Sequence, residues 1–204
     1  MNNLIRLLYI FAIVFCCQVR SENTDNGLDF LKDVKSFSCE FRQSISDPEG
    51  AIKSSNNGFL RFKKPGKFRW EIVSNSRQLV VSDGKKIYQY DSDLGQAIAR
   101  NIDSTPLAFF MDMLSSDNLG KFVDVKYSYN RDGLYWLSVT TNDLSSGFRV
   151  IDFGFDDRFI SKIHLFDVFD QKFVIELSNI LINDELPEDL FRFILPQNVD
   201  LVEM

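Results

Sequence analysis

Lys67-Phe68-Arg69-Trp70-Glu71-Ile72 carries an apolar side chain at every second residue and a charge at each of the others. Successive side chains of a β-strand point to opposite faces, so the hexapeptide has one dry face and one wet face. A helix would scatter the same residues around its circumference. The pattern recurs upstream, where Phe37, Cys39, Phe41 and Ile45 alternate with Glu40, Arg42 and Ser44. Turn signals punctuate such segments at Asp47-Pro48-Glu49-Gly50, Lys64-Pro65-Gly66-Lys67, Asp83-Gly84, Asp132-Gly133 and Asp156-Asp157. They bound roughly ten or eleven strands, a meander of antiparallel neighbours rather than a set of βαβ units. The expected fold is mainly β: one large antiparallel sheet curved into an incomplete, half-open barrel.

Two segments depart from period two. Leu28, Leu31 and Val34 fall at helical spacing and predict a short helix over 28–34. Thr105-Pro106 supplies an N-cap followed by proline at the first helical position. The residues that follow, Leu107-Ala108-Phe109-Phe110-Met111-Asp112-Met113-Leu114, are apolar on nearly every side. A helix of that kind must be covered on several sides. Two uses fit it: an ordinary core helix, or a movable lid whose inner side touches a bound lipid.

The first residues bear on where the chain works. Met1–Arg6 carries one charge, Leu4–Cys17 is almost uninterruptedly apolar, and Val19-Arg20-Ser21 offers small residues at cleavage spacing. A signal peptide over 1–21, cut near Ser21, leaves a single domain over 22–204. The apolar run is short for a membrane span. Lipidation is not expected, because Phe15 stands before Cys16 and Cys16 before Cys17, where a small residue is required. Removing Arg6 and Arg20 takes the formal charge from −6 to −8, and no concentrated basic run exists, so nucleic acid is a poor partner. Of the three cysteines only Cys39 stays in the mature chain, at an alternating strand position that suits a small buried hydrophobe rather than a reactive thiol. The 20 phenylalanines supply rigid apolar surface, either for a β-core or for the wall of an apolar cavity.

Catalytic constellations are sparse. The one histidine, His164, lies between Ile163 and Leu165 in an expected strand, with no nucleophile motif near it. Zinc sites of the Cys/His kind fail by count, and no Gly-rich phosphate loop follows a strand. Asp91 with Asp93, and Asp156 with Asp157, offer carboxylates for calcium or acid–base work, but both pairs sit in turns where solvated Asp is the ordinary residue. Neither enzyme activity, cofactor nor metal is expected.

Several blocks together resemble the outer-membrane lipoprotein carrier family (LolA family). They are Ser36-Phe37 with Phe41-Arg42-Gln43; Gly58-Phe59-Leu60-Arg61-Phe62-Lys63-Lys64-Pro65-Gly66-Lys67-Phe68-Arg69-Trp70; and Leu79-Val80-Val81-Ser82-Asp83-Gly84-Lys85-Lys86-Ile87-Tyr88-Gln89-Tyr90-Asp91. Thr105-Pro106 and the tail Phe191-Arg192-Phe193 with Pro196-Gln197-Asn198-Val199 add to the likeness. The resemblance implies an unclosed barrel of about eleven strands capped by short lid helices, with an apolar cavity between sheet and lid. It implies a periplasmic chaperone, monomeric, that takes lipid-modified proteins from an inner-membrane ABC transporter. Their acyl chains are shielded in the cavity and passed to an outer-membrane receptor. The expected cavity residues are Phe59, Phe68, Trp70, Leu79, Val81, Tyr88 and Tyr90. The expected lid residues are Leu107, Phe109, Phe110, Met111 and Leu114. One departure stands out: the family has arginine before the turn proline as a latch on the lid, and this chain has Lys64, whose ammonium lacks the planar five-donor fork. Arg61 or Arg69 is a candidate to assist it. Two other classes remain: a lipid-binding receptor of the same fold, which needs a lipid anchor, and an envelope hydrolase using the turn carboxylates.

Overall fold

The computed structural model describes residues 33–74, 77–102, 123–141, 147–156 and 159–204. The signal segment over 1–21, most of the helix expected over 28–34 and the whole helix expected from Pro106 lie outside the described residues.

The alternating segments become strands. They are β1 (Ser36–Ser46), β2 (Ile52–Lys63), β3 (Lys67–Ile72), β4 (Gln78–Asp83), β5 (Lys86–Asp91), β6 (Gln96–Asn101), β7 (Val123–Arg131), β8 (Leu134–Thr141), β9 (Phe148–Phe155), β10 (Ile160–Asp167), β11 (Lys172–Ile182) and β12 (Asp200–Glu203). All belong to one sheet in the order β12-β6-β5-β4-β3-β2-β1-β11-β10-β9-β8-β7. Its two edges, β12 and β7, do not pair with each other, so the sheet is not closed into a barrel. Twelve strands exceed the ten or eleven turn-bounded segments. The short β12 runs parallel to β6 and is reached from a long tail rather than a hairpin, so it falls outside the antiparallel meander that the turn signals bound.

The meander reading holds for β1–β6 and for β7–β11, each a run of antiparallel hairpin neighbours. The two runs are joined through β1, which pairs with β2 on one side and with β11 on the other. Strands more than 130 residues apart in sequence at Phe41↔Leu177 and Gln43↔Ile175 therefore pair in the middle of the sheet.

Pairing parity sorts the side chains into two faces. Phe37, Cys39 and Phe41 of β1 lie with Leu60 and Phe62 of β2 and with Phe68, Trp70 and Ile72 of β3 on what we call the inner face. Across β11, β10, β9 and β8 the same face carries Ile175, Ile163, Phe153 and Leu137, each opposite the next. Residues from both halves of the sheet merge into one contiguous buried cluster, so the sheet wraps around a shared apolar interior. Burying such side chains is worth roughly 1.5–3 kcal/mol each, which makes this interior the main source of stability.

Candidate functional site

Two of the seven expected cavity residues, Phe68 and Trp70, lie on the inner face, at 0% and 1% exposure. The other five lie on the opposite, outer face. The registers leave no alternative: Trp70↔Val80 and Val80↔Gln89 put Val80 and Gln89 inside, so Leu79, Val81, Tyr88 and Tyr90 point out. Phe59, opposite Glu71, points out as well. The five do not share a surface with Phe68 and Trp70.

Sequence reasoning missed this because the outer face of β2–β5 is not wet. A strap over residues 185–198 crosses it, containing a 3-10 turn at Glu188–Phe191. Phe193 stacks on Tyr88 with ring centroids 5.1 Å apart and lies 6.2 Å from the Tyr90 ring. Lys63 Nζ donates to the Leu186 carbonyl at 3.0 Å and to Glu188 Oε1 at 2.7 Å, and Lys67 Nζ binds the other oxygen of Glu188. Those two ammonium groups hold the Glu188 carboxyl down at about 2. Between strap and sheet lies a groove of about 470 Å³ lined by Arg61, Arg69, Glu71, Leu79, Asp189 and Arg192, among others. Arg69 donates to Glu71 at 3.0 Å and to the Leu190 carbonyl at 3.4 Å. Arg61 and Arg69, the candidate assistants of the latch, are therefore engaged on the outer face, the guanidinium of Arg61 lying 5.1 Å from the Phe59 ring centroid. The signal that a strap covers this face was present in the aromatic tail residues Phe191 and Phe193, the first buried and the second stacked on Tyr88.

Lys64 occupies the β2–β3 turn, joined to Pro65 by a cis peptide bond. Its backbone N–H donates to the Lys35 carbonyl at 2.8 Å. The lid residues Leu107, Phe109, Phe110, Met111 and Leu114 are outside the described residues, so the latch geometry is not described.

The inner face holds a few polar groups. Ser82 Oγ donates to the Gly66 carbonyl at 3.0 Å and accepts from the Gly84 N–H, which fixes the turns at that end. Asp91 accepts the N–H groups of Asp93 and Leu94 and the amide of Gln78 at 3.0 Å. Asp156 likewise accepts the Phe159 N–H at 2.7 Å. Asp91 and Asp156 thus serve turns, because an Asp side chain can take the orphan N–H groups that a turn leaves.

Ser138, Asp152 and His164 stand opposite one another on β8, β9 and β10, on the outer face. Ser138 Oγ donates to Asp152 Oδ1 at 2.6 Å. The carboxylate, not the imidazole, occupies the middle of this row, whereas a hydrolytic triad needs its histidine between nucleophile and acid. His164 packs against Trp136 with ring centroids 4.5 Å apart. Burial, helped by the nearby cations Lys172, Lys162 and Arg131, lowers its pKa to about 4. It is a neutral packing group at pH 7.

The profile of the family described as outer membrane lipoprotein carrier protein LolA matches residues 32–194. The outer-membrane lipoprotein carrier protein of Bordetella avium is 36% identical over 179 residues, covering 86% of this chain and 84% of that one. Its counterpart in Dechloromonas aromatica is 35% identical over 179 residues, covering 85% of this chain and 84% of its own. Among solved structures, an uncharacterised conserved protein from Thermus thermophilus shares the fold with a TM-score of 0.50 at 9% identity, over 84% of this chain and 92% of that one. The chain belongs to the outer-membrane lipoprotein carrier family.

Proposed function

We propose that this member of the outer-membrane lipoprotein carrier family is a periplasmic chaperone for lipid-modified proteins, exported by a signal peptide cut near Ser21. The observation that carries the reading is the family match over residues 32–194. The aromatic inner face supports it, since an unclosed sheet gathers Phe37, Phe41, Phe62, Phe68 and Trp70 into one buried apolar interior, the chemistry that acyl chains require of a lining. Cargo arrives from an inner-membrane ABC lipoprotein-releasing transporter and leaves for an outer-membrane receptor. The protein acts as a monomer and performs no chemistry on its cargo.

In this reading the acyl chains enter on the side of Phe68 and Trp70. The segment over 107–114 is the lid, made of Leu107, Phe109, Phe110, Met111 and Leu114 among others, with Lys64 as its latch. Each buried methylene contributes about 0.8 kcal/mol. Full burial of two or three long chains would exceed the roughly 20 kcal/mol at which non-covalent affinities saturate, and such a carrier could not unload. Cover must therefore be partial, or opening must cost several kcal/mol that offsets the gain.

Depleting the protein in its native host tests the reading. Lipidated outer-membrane proteins should accumulate at the inner membrane, and purified protein should yield acylated peptides on extraction. Normal sorting on depletion, with no lipid in the extract, would refute it.

A further inference from the structure

Gln43 lies on the inner face of β1, a strand in the middle of the sheet, and is 0% exposed. Its side-chain Nε2 and Oε1 are both buried with no hydrogen-bond partner among the described residues. On its β11 side the registers line the row with hydrocarbon: Gln43 stands opposite Ile175, Ile175 opposite Ile163, Ile163 opposite Phe153, and Phe153 opposite Leu137; on its β2 side it stands opposite Asn56. Buried amides are ordinarily satisfied, because desolvating them without a partner is unfavourable. An amide that stays unpaired at the border between an apolar row and Asn56 calls for a ligand group that comes and goes.

The position is also a boundary. Down the β1–β2 ladder the inner-face pairs run Phe37↔Phe62, Cys39↔Leu60, Phe41↔Gly58, Gln43↔Asn56 and Ile45↔Ser54. On β2 the character changes from Phe and Leu through Gly to Asn and Ser, and burial falls in step, with Leu60 and Gly58 buried and Asn56 and Ser54 half-buried. Gln43 is the first polar side chain met on leaving the aromatic interior along β1.

We propose that Gln43 is the polar anchor of the lipid site, its Nε2 donating to an ester carbonyl where an acyl chain joins the glyceryl group of the modified cysteine. The inference rests on the carrier reading and adds a position and an orientation to it. Hydrocarbon tails lie toward Phe62, Phe68 and Trp70, and the first carbonyls lie at the Gln43–Asn56 row. A glutamine amide offers two donors and an acceptor, so it can bind a carbonyl without carrying charge into the apolar interior. Recognition of the linkage fixes how deep the chains go. It also leaves the amide unpaired again on release, which favours reloading with esters over bare hydrocarbon.

The test compares two synthetic peptides bearing an S-glyceryl cysteine, one with two fatty-acyl esters and one with the matching dialkyl ethers, which lack only the carbonyls. Wild-type protein should bind the ester about 3- to 10-fold more tightly, the range of one net hydrogen bond. Gln43→Met, nearly the same size and without the amide, should bind the two alike. The ¹⁵N-labelled side-chain amide of wild-type Gln43 should shift on adding the ester and stay in place with the ether, a readout that needs no variant. Equal affinity of wild type for both peptides, or a preference that persists in Gln43→Met, overturns the anchor while leaving the carrier reading intact. Failure of wild type to bind either peptide removes both.

Discussion

Phe41 of β1 stacks on Trp70 of β3, ring centroids 3.8 Å apart and planes 22° from parallel, across the width of the intervening strand. The contact exists because Gly58 of β2 stands opposite Phe41 and has no side chain to hold the two rings apart. A Cβ built on Gly58 would lie 2.8 Å from Phe41 Cζ and 1.8 Å from the Glu71 carbonyl oxygen. The stack and the glycine are one device that lets aromatic residues two strands apart form a continuous wall.

Gly58→Ala should therefore be costly. The Glu71 oxygen is backbone and cannot rotate away, so β2 and β3 must separate or Phe41 must leave its stack. We expect a loss of about 3 kcal/mol, the upper end of ordinary overpacking, measured by urea unfolding, together with a change in Trp70 fluorescence. A variant as stable as wild type would show that the ladder has room the structure does not suggest.

The two faces should respond differently to charge. Phe68→Glu places a carboxylate in the inner apolar cluster, at a desolvation cost of several kcal/mol, and should abolish uptake of acylated peptide. Tyr90→Glu puts the same charge on the outer face, beside Phe193, and should leave uptake within about twofold. The reverse pattern in a peptide-binding assay would place the acyl site under the strap instead.

His164 should titrate far below an ordinary imidazole. As the one histidine of the chain it gives an unambiguous NMR signal, and its pKa should be found near 4 rather than 6.5. Its folded pKa is depressed, so below about 6.5 the unfolded chain takes a proton that the folded one refuses. Its contribution is present above that pH and is lost as pH falls toward 4. His164→Phe should flatten the fall in melting temperature across that window. A measured pKa above 6 would contradict the buried packing against Trp136.

Glu188 should hold the strap over an unusually wide range. With its pKa lowered from 4.5 to about 2 by Lys63 and Lys67, the tether is fully present above about 4.5 and is lost as pH falls through 2. The Tyr88 and Phe193 ring signals should hold steady between pH 8 and 5 in wild type. They should already have moved toward free values at pH 7 in Glu188→Gln. Ring signals unaffected by that substitution would assign the strap to apolar packing alone.

The latch can be read through the lid it is proposed to hold. Lys64→Leu removes the ammonium and should raise hydrogen exchange over residues 107–114 while impairing delivery to an acceptor. Lys64→Arg should preserve or strengthen protection, because a guanidinium presents a bidentate fork that lysine lacks. Unchanged exchange and unchanged transfer in Lys64→Leu would remove Lys64 from the mechanism.

Much of this protein could be read along the chain. Where one face of a strand is dry and the other wet, period two reports the side chain's direction directly, so Phe37 and Phe41 on β1, and Phe68, Trp70 and Ile72 on β3, were each assigned to the dry face of their own strand without a structure, and the registers join those faces into one surface. The same cue fails where both faces are covered. Leu79-Val80-Val81 is apolar at three consecutive positions. In Ile87-Tyr88-Gln89-Tyr90 the larger aromatic residues suggest the wrong parity, because burial of Gln89 on the inner face is a result of register with Val80, not of polarity. His164 and the turn aspartates needed less: composition and turn context already placed them outside catalysis, and the hydrogen bonds of Asp91 and Asp156 give the reason.

The sequence by itself determined the strand character, most turns, the membership of the family and the apolar parity of β1 and β3, because each depends on residues within a few positions of one another. Only the tertiary structure decided that β1 joins β11, that the tail returns over Tyr88 and Tyr90, and that Gln43 comes to stand opposite Ile175 with its amide buried and unpaired. Those are pairings between residues more than a hundred positions apart, set by which strands close the interior together. No local periodicity encodes them.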